Sequence, residues 1–318
     1  MRVGHNPARF VEKVAQPAGI TVAVVNCIPF LSGYFEQSLD VLKVVVESLH
    51  ATREAAHPYD VMVFDNRSCA EVREYLKGAS DQGKIQYLML SDTNIGKIGA
   101  WNHMFGAAAG NYVVFSDGDV AFRPGWLSTS LALFETFPNV GMVTARPLRT
   151  PMEFSSATLD WARQAGVLEE GNFLDWDTFR EHVESLGRDE AECRKDYAAG
   201  CDYRLKYNRE TAFVGAAHFQ FMARREVLQK IIPLPSEQPM RGERSLDIAI
   251  NAMGLLRLAT VLPLVRHMGN ILPAVGQQPF SAPKHKSPLK RILYLPGIRH
   301  FLLWLHNQIF RLYFFNVD

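Results

Sequence analysis

The chain has 318 residues, 47% of them apolar and 21% charged, which is enough for one large α/β domain or two small ones and too apolar for a disordered chain. A formal net charge of +1 gives no global attraction to nucleic acid, so any basic surface is local. The four cysteines, Cys27, Cys69, Cys193 and Cys201, form no C-x-x-C pair and no Cys/His cluster, which argues against a zinc module and fits reduced thiols. Residues 1–19 are polar and lack a signal-peptide core. No run of 18 apolar residues follows, so a spanning helix is not expected. The expectation is a cytoplasmic protein.

In chain order, residues 20–25 (ITVAVV) are β-branched and wholly apolar, as in a strand buried on both faces of a parallel sheet. Residues 36–56 show helical spacing through Leu39, Leu42, Val45, Val46 and Leu49. A second buried strand, 61–64, ends at Asp65-Asn66. A short helix is expected at 70–77, a strand at 85–90 and a small-residue helix at 99–109. The strand at 112–115 ends at Ser116-Asp117-Gly118-Asp119. A helix at 124–137 and a strand at 140–145 complete the first half. This rhythm predicts an α/β class with a mainly parallel sheet flanked by helices. Ligands bind such sheets beyond the carboxyl ends of the strands. Polar residues gather at those ends here: Asn26-Cys27, Asp65-Asn66-Arg67-Ser68, Asp92-Thr93-Asn94 and Asp117-Gly118-Asp119.

Residues 152–211 are acidic and helix-prone and read as a helical insertion over a cleft. Regular structure returns with a strand at 218–223, a helix from Arg225, a Pro-rich loop, a helix at 246–253 and a strand at 256–261.

Asp117 and Asp119 place two carboxylates two residues apart after an apolar strand, with Gly118 to permit a sharp turn. Hard divalent cations take carboxylate oxygens and share them with substrate diphosphates.

The motifs resemble those of family 2 glycosyltransferases. Asp65-Asn66-Arg67-Ser68 is similar to the family's D-N-x-S step, Asn94-Ile95-Gly96 with Ala100-Trp101-Asn102 to its N-x-G…A-x-N segment, and Asp117-Gly118-Asp119 to its D-x-D motif. Gly215 to Arg225 resembles the strand leading to its R-R-E turn. Where the family often has Arg before the Asn of A-x-N, this chain has Trp101. The resemblance implies a GT-A fold and transfer of a sugar from a nucleoside diphosphate donor, UDP-linked, to a hydroxyl acceptor with Mn²⁺ or Mg²⁺; inversion is the favoured outcome, and retention, found in some relatives with a metal-ligating His, is the alternative. It implies that Asp65 meets the nucleobase, that Asn26, Asn94 and Lys97 lie along the nucleotide, that Asp117 meets ribose or a metal-bound water, and that Asp119 binds the metal.

An inverting transfer needs a base for the acceptor hydroxyl. Glu243 and Asp247 stand one helical turn apart at the start of a helix, where the family places an acidic pair. Asp247 is favoured as the base. His267, in R-H-M-G-N, matches a position where related enzymes complete the metal shell, and imidazole tilts the choice toward manganese. His218 competes for that place but opens an apolar strand and reads as structural or acceptor-facing.

The implied domains are a catalytic domain at 1–280 and a tail at 281–318. The domain divides into a nucleotide-binding half (20–145), the insertion (152–211) and an acceptor half (212–280). The tail interleaves Lys and Arg with aromatic residues. Two readings of it stand together: docking on the inner face of an anionic membrane, which suits a lipid-linked acceptor, or packing on protein. Two other functions also fit an α/β nucleotide-binding chain. A sugar-nucleotide nucleotidyltransferase would carry a Gly-rich basic loop after the first strand, where Asn26-Cys27-Ile28-Pro29-Phe30 stands instead. A non-catalytic nucleotide-sugar-binding scaffold would not need Asp65, Asp117, Asp119 and His267 together.

Overall fold

The computed structural model describes residues 4–236 and 242–272, with Trp304, Leu305 and Gln308. Met1–Leu272 forms one unit and Pro273–Asp318 a second. The basic, aromatic tail, read either as membrane-docking or as packing on protein, lies outside the described residues apart from those three. Among the described residues no helix is long and apolar enough to cross a membrane.

The first half alternates as its apolar runs dictate: β1 (Ile20–Asn26), α1 (Ser38–Ala51), β2 (Tyr59–Asn66), α2 (Ala70–Asp81), β3 (Tyr87–Ser91), α3 (Gly96–Ala107), β4 (Tyr112–Asp117), β5 (Val120–Phe122), α4 (Trp126–Thr136) and β6 (Val140–Thr144). The second half adds α5 (Ser156–Gln164), β7 (Leu168–Gly171), α6 (Trp176–Ser185), α7 (Glu190–Ala199), β8 (Asp202–Tyr207), β9 (Glu210–Val214), β10 (Gln220–Arg224), α8 (Arg225–Ile231), α9 (Arg244–Ala252), β11 (Leu256–Ala259) and β12 (Val265–His267).

Ten strands make one sheet in the order β3-β2-β1-β4-β10-β6-β11-β9-β8-β7. The block β3-β2-β1-β4 is parallel throughout. Every residue of β1 is buried, as a central strand covered on both faces requires. One face carries α1, α2 and α4 through Val41, Leu42, Leu76 and Trp126. The other carries α3, α8 and α9 through Trp101, Phe105, Leu228 and Ile250. This is the expected α/β class. The sheet is mixed, however: β10 runs antiparallel between β4 and β6, and β9 runs antiparallel beside β11.

Residues 152–211 hold helices, as their composition suggests, but also β7, β8 and part of β9, which lengthen the sheet at one edge. β8 is charged on one face with Leu205 buried on the other, so it shows no apolar run, while β9 buries Ala212, Phe213 and Val214 in succession. The β8–β9 hairpin turns at Asn208 and Arg209, both at positive φ (46° and 71°). That is the backbone of a two-residue primed turn, for which Asn-Gly is the usual signal. Arg209→Gly relieves the second left-handed residue and is expected to stabilise the protein by ~0.5–1 kcal/mol. A rise of a few degrees in Tm by calorimetry checks this, and a fall would contradict it.

Candidate active site

The parallel strands end side by side, and their terminal polar residues are wired together. Asn26, last in β1, donates through Nδ2 to Asp65 Oδ1 and to Ser68 Oγ, each at 2.9 Å. The other Asp65 oxygen accepts from Ser68 N at 3.2 Å and from Arg73 Nε at 3.0 Å. Asp65 is fully buried, and its carboxylate braces the ends of β1 and β2. Asn66 locks the next strand end to the start of α3: it donates to Asn94 Oδ1 (2.9 Å) and accepts from Ile95 N (2.9 Å). Trp101, standing where the family often has Arg, is fully buried against Phe115 with ring centroids 5.0 Å apart. Its place is the core, not the nucleotide.

Lys97 lies in the first turn of α3, and its Nζ sits 2.7 Å from each oxygen of Asp117. The loop Asp117-Gly118-Asp119 then passes close to β1. A Cβ on Gly118 would stand 3.0 Å from Val25 O and 3.0 Å from Asn26 Cβ. The chain turns at Gly118-Asp119 between β4 and β5, as the sequence suggests, and glycine suits that turn by this close approach rather than by positive φ. Burial raises both Asp117 and Asp119 to about 6, with Lys97 pulling the other way.

His267 reaches Asp119 through a short ladder that shows no sequence signal. β12 pairs antiparallel with β5, setting His267 opposite Val120. Met268 N donates to Asp119 O at 2.8 Å. His267 Nδ1 meets Ser185 Oγ at 2.8 Å, and Nε2 lies 3.3 Å from Asp119 Oδ2. Burial lowers the His267 pKa, favouring the neutral ring a metal requires. Among the described residues no three His, Cys, Asp or Glu side chains are gathered for a metal ion. Two donors are available all the same. Asp119 Oδ1 is buried without a hydrogen-bond partner, and adjacent corners of an octahedral Mg²⁺-like shell lie ~3 Å apart. The Asp119–His267 pair fits a cation that takes its remaining ligands from substrate and water.

The insertion is fastened to this ladder by one carboxylate. Glu181 of α6 meets Arg123 (2.9 Å), Arg146 (2.6 Å) and Arg266 (3.3 Å). Arg146 is fully buried. Next to Glu181, His182 stacks on Phe219, whose ring also meets His267. Burial and Arg146 push His182 down to about 3.

Two cavities open on either side of Asp117. One, of about 190 Å³, is bordered by Asn26, Cys27, Tyr34, Phe35, Asp119 and Asn270. The other, of about 450 Å³, is bordered by Lys97, Arg149, His182, His218, Glu243, Asp247 and His267. Asp117 borders both. The structure thus brings Asn26, Lys97, Asp117, Asp119, His267, Glu243 and Asp247 to two adjoining cavities, with Asp65 bonded to Asn26 and Asn94 beside Cys27. Asp247 is 2% exposed, and its oxygens accept from Arg257 Nη2 and from His218 Nε2. The Glu243 side chain has no hydrogen-bond or ion-pair partner among the described residues. The sequence reading missed Arg149, Glu181, His182 and the His218–Asp247 pair, whose partners lie too far along the chain to form a local motif.

The sequence model of "Glycosyl transferase family 2" matches residues 33–232. Among solved structures, the S. aureus TarS 1-349 fragment is similar at 13% identity and a TM-score of 0.46, covering 76% of this chain and 58% of that one. The mannosyltransferase PcManGT from Pyrobaculum calidifontis, in complex with GDP-Man and Mn²⁺, is similar at 16% and 0.42, covering 80% and 60%. GalNAc-T7 with UDP, GalNAc and Mn²⁺ is similar at 15% and 0.48, covering 79% and 44%. This chain therefore spans less than two thirds of each. No curated protein matches the sequence. The match over residues 33–232, which takes in the end of β2, α3 and the Asp117-Gly118-Asp119 loop, shows that the chain belongs to glycosyl transferase family 2.

Proposed function

We propose that the chain transfers a sugar, with inversion, from a nucleoside diphosphate sugar to the hydroxyl of a saccharide or lipid-linked acceptor, using Mn²⁺ or Mg²⁺. The observation that carries this reading is the position of Asp117 between two cavities, with Asp119 and His267 facing each other beside it. The nucleoside belongs in the smaller cavity, against Asn26 and Tyr34. The sugar and acceptor belong in the larger, which His218, Glu243 and Asp247 border. Asp119 and His267 would hold the cation, which when bound neutralises charge on the departing diphosphate. Lys97 adds a fixed positive charge on the same side. UDP is the donor nucleotide that the family resemblance implies.

The test is release of nucleoside diphosphate from UDP-glucose, UDP-N-acetylglucosamine and GDP-mannose, each with Mn²⁺. Turnover of one donor is the expected result. No turnover and no binding of any nucleotide would contradict the reading. Lys97→Met should lower kcat about 10- to 100-fold, or ~1.4–2.7 kcal/mol of barrier, and should also lower Tm, because the cationic partner of Asp117 is traded for an apolar chain. An unchanged kcat would remove Lys97 from the account.

A further inference from the structure

Asp247 is badly placed to touch an acceptor. It is 2% exposed. One oxygen accepts from Arg257 Nη2, and Arg257 is itself buried and held by Ala216 O (2.8 Å) and Phe154 O (2.8 Å). The other oxygen lies 2.5 Å from His218 Nε2. A carboxylate only accepts, so the proton of that bond sits on Nε2 and the lone pair of the ring on Nδ1. Nδ1 has no hydrogen-bond partner among the described residues. The His218 side chain is 28% exposed and borders the larger cavity with Lys97, Asp117, Glu243 and His267. Its neighbour Phe219 accepts from Asp117 N at 2.8 Å, which ties His218 to the junction of the two cavities. Glu243 borders the same cavity with no described partner to orient it.

We propose that His218 is the catalytic base of the transfer, with Asp247 as a positioning residue that fixes its tautomer and Arg257 as the anchor of Asp247. The proposal rests on the glycosyl-transfer reading above. In the step, the acceptor oxygen bonds to the anomeric carbon and its proton passes to His218 Nδ1. The bond from the anomeric carbon to the diphosphate oxygen breaks, and the nucleoside diphosphate leaves with the electron pair. The imidazolium formed stays against the Asp247 carboxylate. A carboxylate-supported imidazole of this kind contributes on the order of 10²- to 10⁴-fold.

Two measurements test it. In ¹⁵N-histidine-labelled protein, with the His218 signals identified by their loss in His218→Gln, the ring should be protonated at Nε2 with its proton far downfield. Asp247→Asn should abolish that shift. An Nδ1–H ring, or a signal indifferent to Asp247→Asn, overturns the proposal, and neither readout needs a substrate. In the nucleoside diphosphate release assay with the donor that wild type uses, His218→Gln should lose at least 100-fold in kcat with donor KM within threefold. Added imidazole should restore part of the rate to His218→Gly, and Asp247→Asn should fall between wild type and His218→Gln. His218→Gln within threefold of wild type, with Asp247→Asn or Glu243→Gln inactive, would make that acid the base instead. A wild-type protein that binds no nucleoside diphosphate strikes the glycosyl-transfer reading, a different failure that leaves the ring measurement to decide the pair.

Discussion

Asp119→Asn is expected to lower kcat/KM by roughly a thousandfold and to abolish the gain in nucleotide affinity that Mn²⁺ gives the wild type. The amide keeps the shape of the carboxyl but cannot serve as an anionic ligand. The buried, unpartnered Asp119 Oδ1 then offers a cation only a weak donor beside His267. A metal at a departing diphosphate contributes several kcal/mol of charge stabilisation, and each ~1.4 kcal/mol is tenfold in rate. The same substitution should not unfold the protein. Burial holds the Asp119 carboxyl at about 6 in the folded chain, above its ordinary 3.8. At pH 7.5 the folded state therefore carries a charge that its surroundings disfavour, and a neutral amide relieves this. An equal or higher Tm together with lost activity is the signature of a site residue. A variant that retains Mn²⁺-dependent binding would place the metal elsewhere.

The largest expected effect on stability belongs to Glu181→Ala. Glu181 is the shared partner of Arg123, Arg146 and Arg266, and Arg146 is fully buried. Removing the carboxylate leaves a buried guanidinium without its counter-charge, which costs ~3–5 kcal/mol. For a folded unit of this size that is a fall in Tm of about 10 °C. Glu181→Gln keeps hydrogen-bond acceptance and should cost less than half as much. The effect should also reach the site. α6 supplies Ser185, which orients His267 through Nδ1 at 2.8 Å. Loosening α6 should weaken Mn²⁺-dependent nucleotide binding about 10- to 100-fold, as losing a metal ligand's outer partner commonly does. A Glu181→Ala protein melting within 2 °C of wild type would show that the three arginines find water or other partners.

How much of this was legible in the sequence follows from where each signal resides. β1, β2 and β4 are runs of buried β-branched and aromatic residues, and their polar ends, Asn26, Asp65 and Asp117, announce the rim in the strand that carries them. The Asp117-Gly118-Asp119 loop is local and stands out for the same reason. β5 and β12 are three residues each and pair across more than a hundred positions, so the ladder that carries His267 to Asp119 leaves no periodic trace. β7 is short and acidic, and β8 alternates charged residues with Tyr and Leu, so neither shows an apolar run before the Asn208-Arg209 turn is seen. Asp65 shows a limit of another kind. Its motif marks the position, but only the fold reveals that Asn26, Ser68 and Arg73 already occupy the carboxylate. Asp247 likewise stands out as an acid at a helix start, while its partners His218 and Arg257 come from other elements and appear only when the chain has folded.

The central claim is that Asp119 and His267 join a cation to a nucleoside diphosphate at the boundary of the two cavities. Titration calorimetry of UDP into wild type, Asp119→Asn and His267→Ala, each with and without Mn²⁺, tests it most directly. The account predicts that Mn²⁺ tightens UDP binding at least tenfold in the wild type and changes it little in either variant. Equal UDP affinity with and without Mn²⁺ in the wild type, or a full Mn²⁺ effect retained in both variants, would contradict it.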